Sequence, residues 1–109
     1  MIAPDTNFLT IQYYDRVDLS TGTIAIFQID DSGRDIMRQV TSGTNSEYVK
    51  LHEDGITVNV TIIKSTFSKP GGKYYVSISN NFVKSRTYQE PLYGVQERVW
   101  VFTVRKCFL

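Results

Sequence analysis

The 109-residue chain holds one cysteine, one histidine and one tryptophan. With Cys107 alone, no internal disulfide can form and no zinc site can be built from thiolates. The fold must hold by burial, and a domain of this length buries roughly 60–70% of its unfolded surface, which suffices. Cys107 reads either as a tail thiol or as the partner of a cysteine outside this chain. Alanine occurs twice and leucine five times, which argues against a helix bundle, a coiled coil or an α/β nucleotide-binding fold. No run of about eighteen apolar residues occurs, so no membrane-spanning helix is encoded. Met1-Ile2-Ala3-Pro4 shows neither the basic nor the apolar region of a signal peptide. The chain is expected to be a fragment of a larger protein. Net charge is only +1, so nothing global points to nucleic acid or a membrane surface.

What is present favours strands. Val, Ile, Thr, Tyr, Phe and Trp supply 46 residues, and such side chains suit a pleated, half-buried surface. Phe8 to Tyr14 alternates, with Leu9, Ile11 and Tyr13 on one face. Thr23 to Ile29 and Asp35 to Thr41 flank Asp30-Asp31-Ser32-Gly33, which has the chemistry of a tight turn and predicts a hairpin. In its second arm Ile36, Arg38 and Val40 are in phase. Glu47 to Leu51 and Ile56 to Ile63 flank a second turn, Glu53-Asp54-Gly55. Val58, Val60 and Ile62 continue the phase of Ile56, the pattern of a sheet with one dry and one wet face. Lys73 to Ser79 and Arg98 to Val104 alternate as well; Tyr74, Val76 and Ile78 are in phase in one, Trp100, Phe102 and Val104 in the other. Asp15 to Gly22 reads as a polar connection, and Asn80 to Gly94 as a long crossing pinned by Phe82, Val83, Pro91, Leu92 and Val95. About seven short strands without a helical period predict one all-β domain over residues 1–109, an antiparallel β-sandwich with an ordered core of about 7–104. A small barrel is the rival architecture. Trp100 reads as core, so Trp100→Ala is expected to cost about 3–5 kcal/mol.

Charge is uneven along the chain: residues 1–54 sum to −5 and residues 55–109 to +6. This reads as a solvated mixed surface or as electrostatic contact between neighbouring modules.

Four segments resemble, in order, the bacterial Ig-like domains of the SbsA surface-layer type. Ile11-Gln12-Tyr13-Tyr14-Asp15-Arg16-Val17-Asp18-Leu19-Ser20-Thr21-Gly22-Thr23-Ile24 is similar to that family's opening strand and its F-S-E-P-V-D-L-S-T-G-T-I segment. Asp54-Gly55-Ile56-Thr57-Val58 is similar to its D-G-x-T-V hairpin. Gly72-Lys73-Tyr74-Tyr75-Val76, with Ile78 and Phe82-Val83-Lys84, is similar to its G-x-Y-Y-V-x-I…F-V-K-D. Trp100-Val101-Phe102-Thr103-Val104 is similar to its W-x-F-T-T close. The chain departs from the pattern at Tyr14 and Arg16 and from Lys84 to Pro91. The resemblance implies an Ig-like sandwich and a non-catalytic structural or interaction module of a cell-surface or secreted protein. Such a module spaces or assembles neighbouring modules of the same or similar surface protein. The alternatives are a glycan- or protein-binding adhesion module and an accessory domain of a larger enzyme.

Candidate chemistry is sparse. His52 lies beside Glu53 and Asp54 at an expected hairpin tip, where no dry pocket supports catalysis, so no catalytic residue is assigned. Asp15, Asp18, Asp30, Asp31 and Asp35 form an acidic group without EF-hand or RTX spacing. They read as turn formers; no metal or other cofactor is expected. Asn59-Val60-Thr61 is an N-glycosylation sequon on the expected wet face of its strand, which makes Asn59 the one modification candidate. Tyr14, Tyr48, Tyr75, Tyr88 and Tyr93 are candidate exposed rings for a glycan, with water-facing hydroxyls as the simpler reading. Lys64, Lys69, Lys73, Lys84 and Arg86 read as a solvated basic face. Gly71-Gly72 precedes a strand, so it presents no helix N-terminus to a phosphate.

Overall fold

The computed structural model describes residues 6–67, 69 and 71–104. All nine of its strands pair antiparallel: β1 (Phe8–Gln12), β2 (Val17–Leu19), β3 (Thr23–Ile29), β4 (Asp35–Ser42), β5 (Val49–Leu51), β6 (Thr57–Thr61), β7 (Lys73–Ile78), β8 (Val83–Ser85) and β9 (Val95–Thr103). One sheet has the order β1-β6-β5 and the other β4-β3-β7-β9, while β2 and β8 form a separate two-stranded ribbon. Leu9, Val58 and Val60 from the first sheet meet Ile24, Ile26, Tyr74 and Val76 from the second in one apolar core. The architecture is a β-sandwich, as the alternating segments predict.

The two turns behave as their residue types require. The Asp30 carboxylate accepts hydrogen bonds from the backbone of Ser32 and Arg34 and from the Ser32 hydroxyl. Asp54 does the same for Ile56, Thr57 and the Thr57 hydroxyl. Gly55 follows with φ of 76°, a left-handed conformation that glycine adopts without steric cost.

Two strands lie where none is expected. Asp15 to Gly22 contains β2, and Asn80 to Gly94 contains β8. Each is three residues long and the partner is far along the chain, so neither leaves a periodic signal of its own. They pair in the register Val17↔Ser85, Asp18↔Lys84 and Leu19↔Val83. Val17 and Val83 are buried beneath the ribbon. Lys84 also bridges Pro91, so residues 83–92 fold back as a hairpin, and Gln89 has φ of 57° at its turn.

In β4 the expected inward phase is reversed over its C-terminal half. The register with β3 shifts between Ile26 and Phe27, leaving Arg38 as the extra residue. A bulge of one residue exchanges the two faces of the strand beyond it. Gln39 and Thr41 therefore point into the core, and Val40 points out. The bulged Arg38 reaches across to the carbonyls of Ser65 and Thr66.

β9 is an edge strand, and its Trp100 and Phe102 are only partly buried against the core; Ile56 is also half-buried. The full-cavity cost expected for Trp100 is therefore too high. Trp100→Ala is now expected to destabilise by about 2 kcal/mol, because part of the indole stays in water in the native state. Urea denaturation of the variant measures this, and a loss above about 4 kcal/mol would place the ring deeper than it lies here.

Candidate functional site

The sequence candidates scatter rather than converge. His52 is exposed, and its backbone closes the β5–β6 turn through bonds with Thr57 and Gly55. Asp30 is engaged in its turn, Asp35 accepts from the Tyr75 hydroxyl and from Arg98, and Asp18 lies on β2. Among the described residues no three His, Cys, Asp or Glu side chains are placed to hold a metal ion. Asn59 lies mid-strand on β6, opposite Thr10 and Lys50, half-buried, and its Oδ1 accepts from the Thr10 hydroxyl at 2.7 Å. Cys107 lies outside the described residues.

Part of the charge asymmetry is met within the chain. Four ion pairs occur among the described residues: Arg34–Asp30, Lys69–Asp31, Arg86–Asp18 and Arg98–Asp35. All but the first join a carboxylate of the acidic half to a cation of the basic half. The fold thus sets three carboxylates of the acidic half against cations of the basic half.

The five tyrosines divide. Tyr75 is buried although it lies on the outer face of its sheet. Phe27 stacks on it at 5.0 Å between ring centroids, and the Arg98 guanidinium sits 5.9 Å above the ring while also bonding Asp35 and the Gly33 carbonyl. Tyr48 is half-buried. Tyr14, Tyr88 and Tyr93 are exposed at 107%, 75% and 92%. Their neighbour Tyr13 is half-buried instead, and burial pushes its phenol up to about 12.

Two surfaces stand out from this inventory. The first is the outer face of the four-stranded sheet. The β4 bulge and the outward phase of β9 leave Met37, Val40, Val99 and Val101 exposed there. The opposite face, on the β1-β6-β5 sheet, carries Phe8, Thr10, Gln12, Lys50, Asn59 and Thr61, with Phe8 the large apolar side chain exposed on it. One outer face is thus mainly polar and the other partly apolar, a contrast that local alternation does not show. The alternation of β4 misleads because the bulge is set by its partner strand.

The second surface is the β2–β8 ribbon. Arg86 bonds the Asp18 carboxylate at 3.1 Å and the Val17 carbonyl; Gln89 bonds the other Asp18 oxygen at 3.1 Å. The Gln89 amide first, and Arg86 after it, hold the Asp18 carboxyl below its ordinary range. A lowered folded pKa favours the folded ribbon above the unfolded carboxylate pKa, and this contribution is lost as pH falls through the lowered value. Amide exchange at Ser85 and Arg86 is expected to accelerate relative to its intrinsic rate on acidification through that window. Asp18→Ala should exchange fast there throughout and show no such step; a step of equal size in the variant would refute the assignment.

These features define an all-β sandwich domain with one partly apolar outer face and a separate, hydrogen-bonded two-stranded ribbon. Comparison with known protein families, curated proteins and solved structures finds no match for this chain.

Proposed function

We propose that this chain is a non-catalytic Ig-like module of a cell-surface or secreted protein, and that it spaces or assembles neighbouring modules through protein–protein contact. The observation that carries the reading is the apolar set Met37, Val40, Val99 and Val101 on an otherwise open sheet face. They lie as two pairs, Met37 and Val40 on β4 and Val99 and Val101 on β9, at the two edges of one sheet, and exposed apolar side chains grouped on one face mark contact surfaces more often than stability determinants. The strand order supports the Ig-like element: β1-β6-β5 takes the places of strands B, E and D, and β4-β3-β7-β9 those of C′, C, F and G. The four segments similar to surface-layer modules support the location.

Hydroxyl-radical footprinting tests both parts. On intact source cells Met37 is expected to be oxidised less than in the isolated chain, while Tyr88 is labelled without lysis. Equal oxidation of Met37 in both states would overturn the contact. Labelling only after lysis would overturn the surface location.

A further inference from the structure

The open sides of the sheets differ in how they are defended. A strand with one side unpaired is ordinarily blunted by charge, proline, a bulge or shortness, because its free N–H and C=O groups template further pairing. Among the described strands, β2 carries Asp18, β8 carries Lys84, and β5 is three residues long with Lys50 at its centre. β4 carries Asp35 and the bulged Arg38. β9 breaks register between Val76 and Ile78 and holds Arg98 at φ of 60°. β1 is the exception. Thr6 to Tyr14 contains no charge, no proline and no glycine, and the register with β6 runs unbroken from Phe8 to Gln12. The other uncharged strands, β3 and β6, are each paired on both sides. β1 thus has the composition of an interior strand and the position of an edge.

The hydrogen-bond pattern fixes which groups face the open side. The Ile62 amide donates to the Asn7 carbonyl at 2.7 Å, and the Tyr13 amide to the Ile56 carbonyl at 2.8 Å. Bonded and non-bonded pairs alternate in an antiparallel ladder, so Leu9 and Ile11 also direct their backbone groups to β6. The N–H and C=O groups of Phe8, Thr10 and Gln12 point the other way, where no described strand lies.

These three residues are spaced so that a second copy satisfies them. A twofold axis at Thr10 sets Thr10 against Thr10 of the second copy, Phe8 against its Gln12, and Gln12 against its Phe8. This register pairs all three with one another and closes about six backbone hydrogen bonds. It also sets the half-buried Ile11 against Leu9 of the second copy on the core face, apolar against apolar. On the outer face the Phe8 ring, 53% exposed on a mainly polar surface, gains Gln12 of the second copy as a neighbour. A peptide of another sequence would satisfy the same backbone groups. The matched Ile11 and Leu9, and a strand without charge to repel its own copy, favour self-pairing.

We propose that two copies of this chain associate through β1 about a twofold axis at Thr10, forming one continuous sheet of three strands from each copy. That sheet ends on both sides at β5, which is short and charged, so the assembly closes at two. The pairing does not rest on the contact assigned to the outer face of the other sheet, which uses β4 and β9.

Sedimentation equilibrium of the 109-residue chain tests the pairing. The chain is expected to pass from monomer to dimer as concentration rises. Thr10→Lys and Thr10→Glu should each weaken the dimer at least about tenfold, because the axis sets position 10 against its own like charge. Mixing the two variants should restore a dimer, which also shows that both still fold. A chain that stays monomeric up to about 1 mM overturns the proposal. So does a mixture of the variants that stays monomeric, or growth into larger oligomers. A dimer that Met37→Lys abolishes and Thr10→Lys leaves intact overturns it too, and would assign the association to the apolar sheet face instead.

Discussion

Replacing Gln39 by leucine is expected to destabilise the domain by about 3–4 kcal/mol. Gln39 is 4% exposed and carries the polar connection between the two layers of the sandwich. Its Nε2 donates to the Thr61 carbonyl at 2.8 Å and to the Thr41 hydroxyl at 3.1 Å. Its Oε1 accepts from the Ile63 amide and the Thr66 hydroxyl, both at 2.9 Å. Every hydrogen-bonding valence of this amide is therefore used. Thr66 is itself fully buried, so the substitution strands polar groups that water cannot reach. Each stranded group costs about 1–3 kcal/mol, and leucine's greater apolarity offsets part of the sum. The loss is a large fraction of the stability of an ordinary domain. Urea denaturation measures it, and a loss below about 1 kcal/mol would mean that the layers are held together without this amide.

Gly43→Ala is expected to cost about 3 kcal/mol and to act mainly on the ribbon. Gly43 lies where three backbones cross. Its amide donates to the Gly22 carbonyl, and a Cβ at this position would overlap the Ser20 carbonyl oxygen and come within 2.7 Å of the Phe82 carbonyl. Both obstacles are main chain and cannot rotate away. Relief requires the 20–22 and 81–82 segments to separate, which uncovers Phe82, a ring buried to 1% exposure. Melting is expected to fall by roughly 10–20 °C. Amide exchange in β2 and β8 should rise before that in β3 and β7. An unchanged melting temperature would show that the crossing has slack.

The two substitutions act on features that differ in how they appear in the sequence. The dry-face residues Val58, Val60 and Ile62 and the turn formers Asp30, Gly33, Asp54 and Gly55 announce themselves, because alternation and turn chemistry are local properties of neighbouring residues. Gln39 does not. It lies in a segment whose apolar alternation, Ile36 and Val40, points the other way. Only the bulge against β3 turns it inward, toward groups 22 to 27 residues further along the chain. Strands β2 and β8 are invisible for a related reason. Three residues are too few to show a period, and their pairing joins residues 64 to 68 apart in the chain.

The candidate surfaces divide in the same way. That Tyr88 and Tyr93 fall in a connecting segment is readable from their positions between alternating runs; Tyr14 closes the expected strand, and only the structure ends β1 at Gln12. That Tyr75 is withdrawn is not, since Arg98 and Phe27 cover it from other strands. The apolar outer face is likewise assembled from β4 and β9, the two edges of one sheet.

By itself, the sequence determined that the chain is made of short antiparallel strands around an apolar layer, because side-chain branching and period-two burial act over a few residues. Tertiary structure alone decided which outer face is apolar, which tyrosines stay open and where the opposite charges meet. Those outcomes depend on register and on backbone crossings between distant segments, and no local pattern encodes either.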